Sequence, residues 1–107
     1  MVEREMLYRA LRLLEADSQM SQRELARELE VSVGKANSCV RTLIVLGLMT
    51  ASQCTNRRNR AAYRYVLTAR GLREKARLTE HFLLQKTLEY ERLRMEIEHM
   101  RREAAGG

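Results

Sequence analysis

The chain has 107 residues, enough for one domain with a modest buried core and an appendage. It holds 20 Lys and Arg against 14 Asp and Glu, which gives a formal net charge of +6 at pH 7. The longest apolar run, Leu43 to Met49, is seven residues long, far short of the roughly 20 that span a bilayer. The first residues also lack the apolar stretch of a signal peptide, so we expect a cytoplasmic protein with no membrane partner.

The positive charge is concentrated in residues 31–70, which hold seven Lys or Arg and no Asp or Glu. Residues 1–30 hold five basic and seven acidic side chains, and residues 71–107 hold eight and seven. A local excess of this kind indicates a charged binding face. Because phosphates attract cations and repel carboxylates, the pattern favours a nucleic acid as the partner.

Sites for catalysis or metal binding find little support. Cys39 and Cys54 lie in different predicted elements without His or carboxylates at metal-ligand spacing, so we expect reduced structural thiols. His81 and His99 are far apart on one predicted helix, and no glycine-rich phosphate loop precedes a helix. The sequence therefore predicts a protein that is not an enzyme and needs no cofactor.

Three helices are predicted in the first half of the chain. The first runs from about Glu3 to Ala16, where leucines recur at spacings of four and three. The second begins at Ser21, which forms a capping box with Glu24. The third has Ser32 as its N-cap and stops at Gly47, because glycine best adopts the left-handed conformation that follows a helix.

The third helix is predicted to have an apolar and a polar face. Its inward residues are Val31, Ala36, Cys39, Val40 and Leu43. Its outward residues are small or polar and include two cations: Val33, Gly34, Lys35, Asn37, Ser38 and Arg41. Its end is apolar throughout, so we expect Val45 or Leu46 to be exposed or to contact the final helix.

After Gly47 the hydrophobic period changes from helical to alternating. Leu48 to Cys54 and Ala61 to Leu67 are the predicted strands, with Tyr63, Tyr65 and Leu67 on one face. The loop between them is rich in cations and amides and carries Arg57, Arg58, Asn59 and Arg60. Thr68 then caps a final helix that continues to about Ala105. A helix of this length should project beyond the core or find a partner.

Two helices joined by a turn and followed by a basic hairpin are typical of a winged helix-turn-helix head, which binds DNA. The second helix of such a pair enters the major groove, about 12 Å wide, and presents its first turns to base edges. Arg41 or Lys35 could pair with guanine and Asn37 with adenine, while Gly34 lets the backbone come close. The predicted DNA contacts of this helix are Ser32, Val33, Gly34, Lys35, Asn37, Ser38 and Arg41. The alternative is a solvated helix face.

Further DNA contacts are predicted in the hairpin loop and at the start of the second helix. Arg57, Arg58, Asn59 and Arg60 suit phosphates or a narrow minor groove, although a hydrated loop that contacts nothing is the alternative. Ser21, Gln22 and Arg23 lie where a helix N-terminus offers free N–H groups to a phosphate.

The final helix carries a heptad pattern that predicts a coiled-coil homodimer. Its interface residues are Leu83, Tyr90, Leu93, Ile97 and Met100, with Lys86 interrupting the seam. A parallel pair would match Glu89 with Arg94 of the second copy and Glu96 with Arg101, whereas an antiparallel pair would bring like charges together. The alternative is that Phe82, Leu83, Leu84 and Leu88 fold back onto the head, and both arrangements could hold in different halves of the helix.

The expected fold is therefore mainly α with a small β-hairpin wing. Residues 1–70 form the winged helix-turn-helix DNA-binding domain, and residues 71–105 form the long C-terminal dimerisation helix. A rival interpretation is a protein-interaction adaptor, in which the head docks an acidic protein and the tail helix recruits a partner. The exposed Ile44–Leu46 edge and the three tyrosines other than Tyr8 could serve such a function. Binding of double-stranded RNA is disfavoured, because side chains cannot read the deep, narrow major groove of an A-form helix.

Several segments resemble MarR-type winged-helix regulators: Met20 to Ala26, Val31-Ser32, Gly47-Leu48 and Leu67-Thr68-Ala69-Arg70-Gly71. Over nearly its full length the chain is similar to the short bacterial subgroup of MarR family EPS-associated transcriptional regulators, including the wing rich in Arg and Asn and the charged helical tail. The resemblance implies a transcriptional regulator of exopolysaccharide gene clusters that binds double-stranded DNA.

The chain departs from that family in two places. Glu30 stands where the turn usually has Gly, so it must avoid the left-handed conformation or adopt it at a cost of about 1 kcal/mol. Typical MarR proteins carry an additional N-terminal helix that helps to form a dimerisation domain and an effector pocket. This chain starts almost at the first helix of the head, so we expect no small-molecule effector of that kind.

Overall fold

The computed structural model describes residues 2–55, 58 and 60–106. Within these residues it has four helices and one antiparallel hairpin, in the order α1 (Arg4–Ala16), α2 (Gln22–Leu29), α3 (Val33–Val45), β1 (Met49–Thr55), β2 (Ala61–Leu67) and α4 (Ala69–Gly106). This order confirms the predicted mainly α architecture with a wing and a long final helix. The chain divides into two compact units, Met1–Arg77 and Leu78–Gly107, named here the head and the tail.

The core of the head lies where α1, α2, α3 and the base of the hairpin meet. Its largest fully buried side chains are Leu11, Leu14, Leu25, Leu43, Met49 and Cys39. Along α3 the predicted inward residues Ala36, Cys39, Val40 and Leu43 are buried, and Val31 is partly buried against them. The opposite side of α3 is thereby left for solvent or a partner, as the sequence pattern predicted.

Serine hydroxyls begin α2 and α3 at the predicted positions. The Oγ atom of Ser21 accepts a hydrogen bond from the backbone N–H of Glu24 at 3.1 Å, and its hydroxyl donates to Glu24 Oε1. Ser32 Oγ accepts from the backbone N–H of Lys35 at 3.1 Å. Both serines therefore satisfy backbone donors that a helix N-terminus would otherwise leave free.

The turn between α2 and α3 forces Glu30 into the left-handed region, with φ 58° and ψ 44°. It is the only non-glycine residue with positive φ among those described. The conformation lets the N–H of Val31 donate to the carbonyl oxygen of Ala26 at 3.0 Å, which satisfies one of the last carbonyls of α2. Glu30 therefore adopts the strained conformation that the sequence presented as one of two possibilities.

The apolar end of α3 is exposed. The helix ends at Val45, and Gly47 follows with φ +75°. Val45 is 84% exposed, and Ile44 and Leu46 are also exposed. The prediction that Val45 or Leu46 would remain outside the core is confirmed.

The hairpin is attached to the helices at its base. Its strands pair from Met49↔Leu67 to Thr55↔Ala61, so β1 begins one residue later than predicted. The backbone N–H of Tyr65 donates to the carbonyl oxygen of Ser18, in the turn after α1, at 2.8 Å. The Tyr65 side chain is buried, so β2 is held by both its backbone and its side chain.

The start of α4 is tied to the end of α3. Thr68 Oγ1 accepts from the N–H of Gly71 at 2.9 Å and donates to the carbonyl oxygen of Gly47 at 2.7 Å, which confirms the predicted cap. Farther along the helix, Lys75 forms an ion pair with Glu15 of α1. The first two turns of α4 therefore belong to the head.

The tail is the remainder of α4, and most of its large apolar side chains are exposed, although Leu78 at its start is buried. Of the four residues named by the fold-back alternative, Phe82 is half-buried, and Leu83, Leu84 and Leu88 are each more than half exposed. The five residues of the predicted seam are likewise between 41% and 65% exposed: Leu83, Tyr90, Leu93, Ile97 and Met100. None of the described helices is sufficiently long and apolar to cross a membrane.

Candidate nucleic-acid interface

The outward face of α3 carries the side chains that the sequence predicted there. Val33, Gly34, Ser38 and Arg41 are exposed, whereas Lys35 and Asn37 are half-buried. The absence of acidic residues from α3 means that its own sequence offers no carboxylate to neutralise or repel a ligand. This face can therefore present cations and hydrogen-bonding groups to an anionic partner.

Asn37 is held against α2 by a side-chain hydrogen bond. Gln22 Nε2 donates to Asn37 Oδ1 at 3.0 Å, and both side chains are half-buried. The two residues are fifteen positions apart and lie on different helices. One lone pair of the Asn37 carbonyl oxygen is therefore already used before any DNA is bound.

The serine hydroxyls at the predicted DNA contacts also have partners within the head. Ser21 and Ser32 cap their helices, and the hydroxyl of Ser38 donates to the carbonyl oxygen of Gly34 at 3.1 Å. Ser38 Oγ keeps its lone pairs for an outside donor, because only its hydrogen is used. The first residues of α2 and α3 can still offer backbone N–H groups.

A groove in the head brings the start of α2 together with the hairpin. Its lining includes residues from both predicted contact regions: Ser21, Gln22 and Arg23 of the first, and Arg58 and Arg60 of the second. Arg57 and Asn59, which were also predicted to contact DNA, lie outside the described residues. Among the described residues, the predicted contacts of α2 and of the hairpin therefore share one groove.

Two carboxylates also line this groove, but each accepts a hydrogen bond from the head. Asp17 Oδ1 accepts from the backbone N–H of Gln19 at 3.2 Å, and Glu24 Oε1 accepts from Ser21. The groove contains three arginines against these two acids: Arg23, Arg58 and Arg60. The lining of the groove therefore carries a net positive charge, which favours binding of an anion.

Tyr63 is a groove residue that the sequence placed only on a strand face. It is 50% exposed, and its ring centroid lies 6.3 Å from that of the buried Tyr65. Alternation along β2 predicted that the two tyrosines lie on the same face of the strand. It did not predict that one side chain is buried and the other half exposed. The hydrogen bond between Gln22 and Asn37 had no signal in the sequence at all.

The cysteines behave as structural thiols. Both are free, and Cys39 is fully buried in the core. Burial raises the pKa of the Cys39 thiol to about 11, although the nearby Lys35 charge opposes this increase. Within the described residues there is no group of His, Cys, Asp and Glu that could hold a metal ion.

Comparison with known proteins identifies the arrangement of the head. Residues 4–48 match the family model for winged helix-turn-helix DNA-binding domains. The head has the winged helix-turn-helix fold. No curated protein matches the sequence.

Solved structures of MarR-type regulators share this fold at low sequence identity. The zinc-responsive MarR family member ZitR from Lactococcus lactis superposes with a TM-score of 0.65 at 18% identity, covering 85% of this chain and 61% of its own. The PcaV transcriptional regulator from Streptomyces coelicolor gives a TM-score of 0.64 at 19% identity, with 95% and 79% covered. The transcriptional repressor CouR, bound to a 23-mer DNA duplex, gives 0.56 at 24% identity, with 68% and 50% covered.

The MarR resemblance is thus confirmed at the level of the fold. The chain spans 61% of the length of ZitR, so the activities of whole regulators remain proposals for this chain. None of these three proteins is described as a regulator of exopolysaccharide genes.

Proposed function

We propose that this protein is a sequence-specific transcriptional regulator that binds double-stranded DNA. The observation that carries the proposal is the geometry of the groove, where Arg23 of the helix-turn-helix lies with Arg58 and Arg60 of the hairpin. An anionic backbone can meet these cations while α3 presents its acid-free face to bases. The fold match at residues 4–48 and the DNA-bound structure of CouR support the same function.

The proposed contacts divide into two kinds. Arg41, exposed on α3, donates to the acceptors of a guanine, and Lys35 adds a second donor on the same helix. Arg58 and Arg60 of the hairpin bind phosphates or enter the minor groove beside them. The first kind gives sequence preference and the second gives affinity for any duplex.

A binding titration tests this function directly. Fluorescence anisotropy with a labelled random duplex should show binding at low salt that weakens steeply as the salt concentration rises, because bound counterions are released. Selection from random duplexes should then enrich one motif. Weak binding without a steep salt dependence would instead favour the protein-interaction adaptor, and preference for duplex RNA over DNA would exclude the proposed readout.

We further propose that the tail pairs in parallel with that of a second copy. Tyr90, Leu93 and Ile97 line a concavity along the tail together with three charged residues, Arg94, Glu98 and Arg101. In a parallel pair these arginines meet Glu89 and Glu96 of the partner. Arg94 forms an ion pair with Glu91 of its own helix at 3.0 Å, but an exposed pair of this kind contributes little to stability and can exchange for the partner's carboxylate.

A dimer would place two heads on DNA sites related by a two-fold axis. The expected half-site spacing is one helical turn, about 34–36 Å, or a multiple of it. The resemblance to EPS-associated regulators suggests exopolysaccharide genes as targets. Immunoprecipitation of the DNA bound in cells, followed by sequencing, tests this target class, and enrichment of unrelated promoters would exclude it.

A further inference from the structure

The hydrogen bond between Gln22 and Asn37 joins the two helices of the helix-turn-helix at its DNA-facing side. Gln22 is the first residue of α2, and Asn37 lies in the second turn of α3, among the outward residues. The bond runs from Gln22 Nε2 to Asn37 Oδ1. The oxygen and nitrogen of the Asn37 amide lie on opposite sides of Cγ, so this bond turns Nδ2 away from Gln22.

We propose that Gln22 is a positioning residue that sets base preference by fixing the amide of Asn37. The inference rests on the DNA-binding function proposed above and makes it more specific. With its oxygen turned to Gln22, Asn37 presents the N–H donors of Nδ2 to the major groove. Gln22 thereby acts on specificity through Asn37 and needs no base contact of its own.

The chemistry of base edges converts this orientation into a preference. Adenine shows an acceptor at N7 beside a donor at N6, so an asparagine needs both its oxygen and its nitrogen to bind it. Guanine shows two acceptors, N7 and O6, which suit a group that only donates. We therefore infer that Asn37 favours guanine, which differs from the adenine contact expected from the residue type alone.

The half-buried environment helps to keep the Asn37 amide in one orientation. A fully exposed amide rotates freely between its two orientations, because water satisfies either one equally. Here both side chains are half-buried and bonded to each other, so Asn37 can reverse its amide without losing the bond only if Gln22 reverses at the same time. The orientation is therefore a property of the pair.

Two substitutions at Gln22 should change the preference in different ways. Gln22→Ala removes the donor and frees the Asn37 amide, so guanine preference at the contacted position should fall by about fivefold or more as adenine becomes acceptable. Gln22→Glu supplies a group that can only accept. It should draw Nδ2 inward, turn Oδ1 outward and favour a base with an amino donor, cytosine N4 or adenine N6.

Selection from random duplexes followed by sequencing measures these preferences for the wild type, both variants and Gln85→Ala, a control on the exposed tail. Ratios between bases at one position are read, so a general loss of affinity caused by the added carboxylate does not affect the result. Thermal unfolding checks that each variant folds, and a carboxylate at the start of a helix is compatible with α2.

The proposal expects one motif position to change from guanine in the wild type to an amino-bearing base in Gln22→Glu, with Gln85→Ala unchanged. Identical motifs in all four proteins would overturn it while leaving DNA binding intact. A wild type in which adenine is preferred at the position that changes in Gln22→Ala and Gln22→Glu would overturn it too. A wild type that binds no duplex would remove the DNA-binding proposal and this one together.

Discussion

Gly71 lies so close to Leu48 that a Cβ atom built on it would be 1.9 Å from the Leu48 carbonyl oxygen. The same oxygen accepts a hydrogen bond from the backbone N–H of Thr68 at 3.0 Å, so it cannot move away without breaking that bond. The first turn of α4 thus approaches the backbone of Leu48, in the turn after α3, at a distance that only glycine permits.

Replacing Gly71 by Ala should therefore destabilise the head by about 2–3 kcal/mol, because backbone must shift to admit the methyl group. Urea unfolding followed by circular dichroism measures the change. Gly34→Ala is the matched control, since a Cβ there would lie 3.9 Å from Ser32 Oγ, an ordinary contact. Equal stabilities for the two variants would contradict the close approach.

Because Glu30 has a left-handed backbone conformation, we expect its replacement by glycine to stabilise the head. Gly adopts φ 58° without the steric cost that Glu bears, so Glu30→Gly should raise the free energy of unfolding by about 0.5–1 kcal/mol, net of the extra freedom it gives the unfolded chain. Glu28→Gly, two residues earlier within α2, should instead destabilise by about 1 kcal/mol. A decrease in stability for Glu30→Gly would show that the carboxylate side chain contributes more than the turn costs.

Arginines on α3 and on the hairpin should affect DNA binding differently. Arg41→Ala should relax base preference at one motif position, with a loss of about 1–3 kcal/mol in discrimination. Arg58→Ala should weaken binding to all duplexes alike and flatten the salt dependence by about one unit for the lost phosphate contact. Anisotropy titrations at several salt concentrations measure both effects, with Arg102→Ala in the tail as the control. Unchanged affinity and preference in Arg41→Ala would exclude α3 as the recognition helix.

If the tail forms the proposed dimer, the dimer should depend on the seam residues of α4 and not on its other faces. Ile97→Lys places a charge in the proposed seam and should convert the dimer into a monomer, because the seam is where the two helices exclude water. Met95→Lys adds the same charge at an exposed position outside the seam and should leave the dimer intact. Sedimentation equilibrium distinguishes the two masses. A monomeric wild type, or the same mass for both variants, would dismiss the coiled coil.

Burial of Cys39 predicts slow thiol chemistry and a pH effect on stability. With its pKa at about 11, only about a thousandth of the thiol is ionised at pH 8, so iodoacetamide should modify Cys54 well before Cys39. Between pH 9 and 11 the unfolded chain loses this proton while the folded chain keeps it, so stability should fall as the pH rises. Mass spectrometry of Cys54→Ser after labelling tests the protection; rapid modification of that variant while folded would contradict the burial.

Much of the head could be predicted because its signals are local. The leucine spacing of α1, the serine caps of α2 and α3 and the alternation of β2 each depend on residues a few positions apart. The first residue of β1 was displaced by one, since Leu48 completes the turn after Gly47 instead of pairing with β2. The carbonyl oxygen of Leu48 instead accepts a hydrogen bond from the N–H of Thr68 at the start of α4. No local sequence pattern predicts this contact.

The candidate site was predictable by residue type but not by geometry. Composition and order indicated which side chains of α3 face outward, because the inward ones had to form the core. The pairing of Gln22 with Asn37 depends on how α2 and α3 cross, so it is set by the packing between the two helices and not by any local pattern. The same is true of the groove that unites Arg23 with Arg58.

The bond from Tyr65 to Ser18 has a consequence for the thermodynamics of recognition. It ties the root of the wing to the turn before α2, so these parts are oriented relative to each other in the free protein. A preorganised receptor loses little conformational entropy on association. Amide exchange at Tyr65 should accordingly be slow in the absence of any ligand, and complex formation should leave the backbone at this junction unaltered.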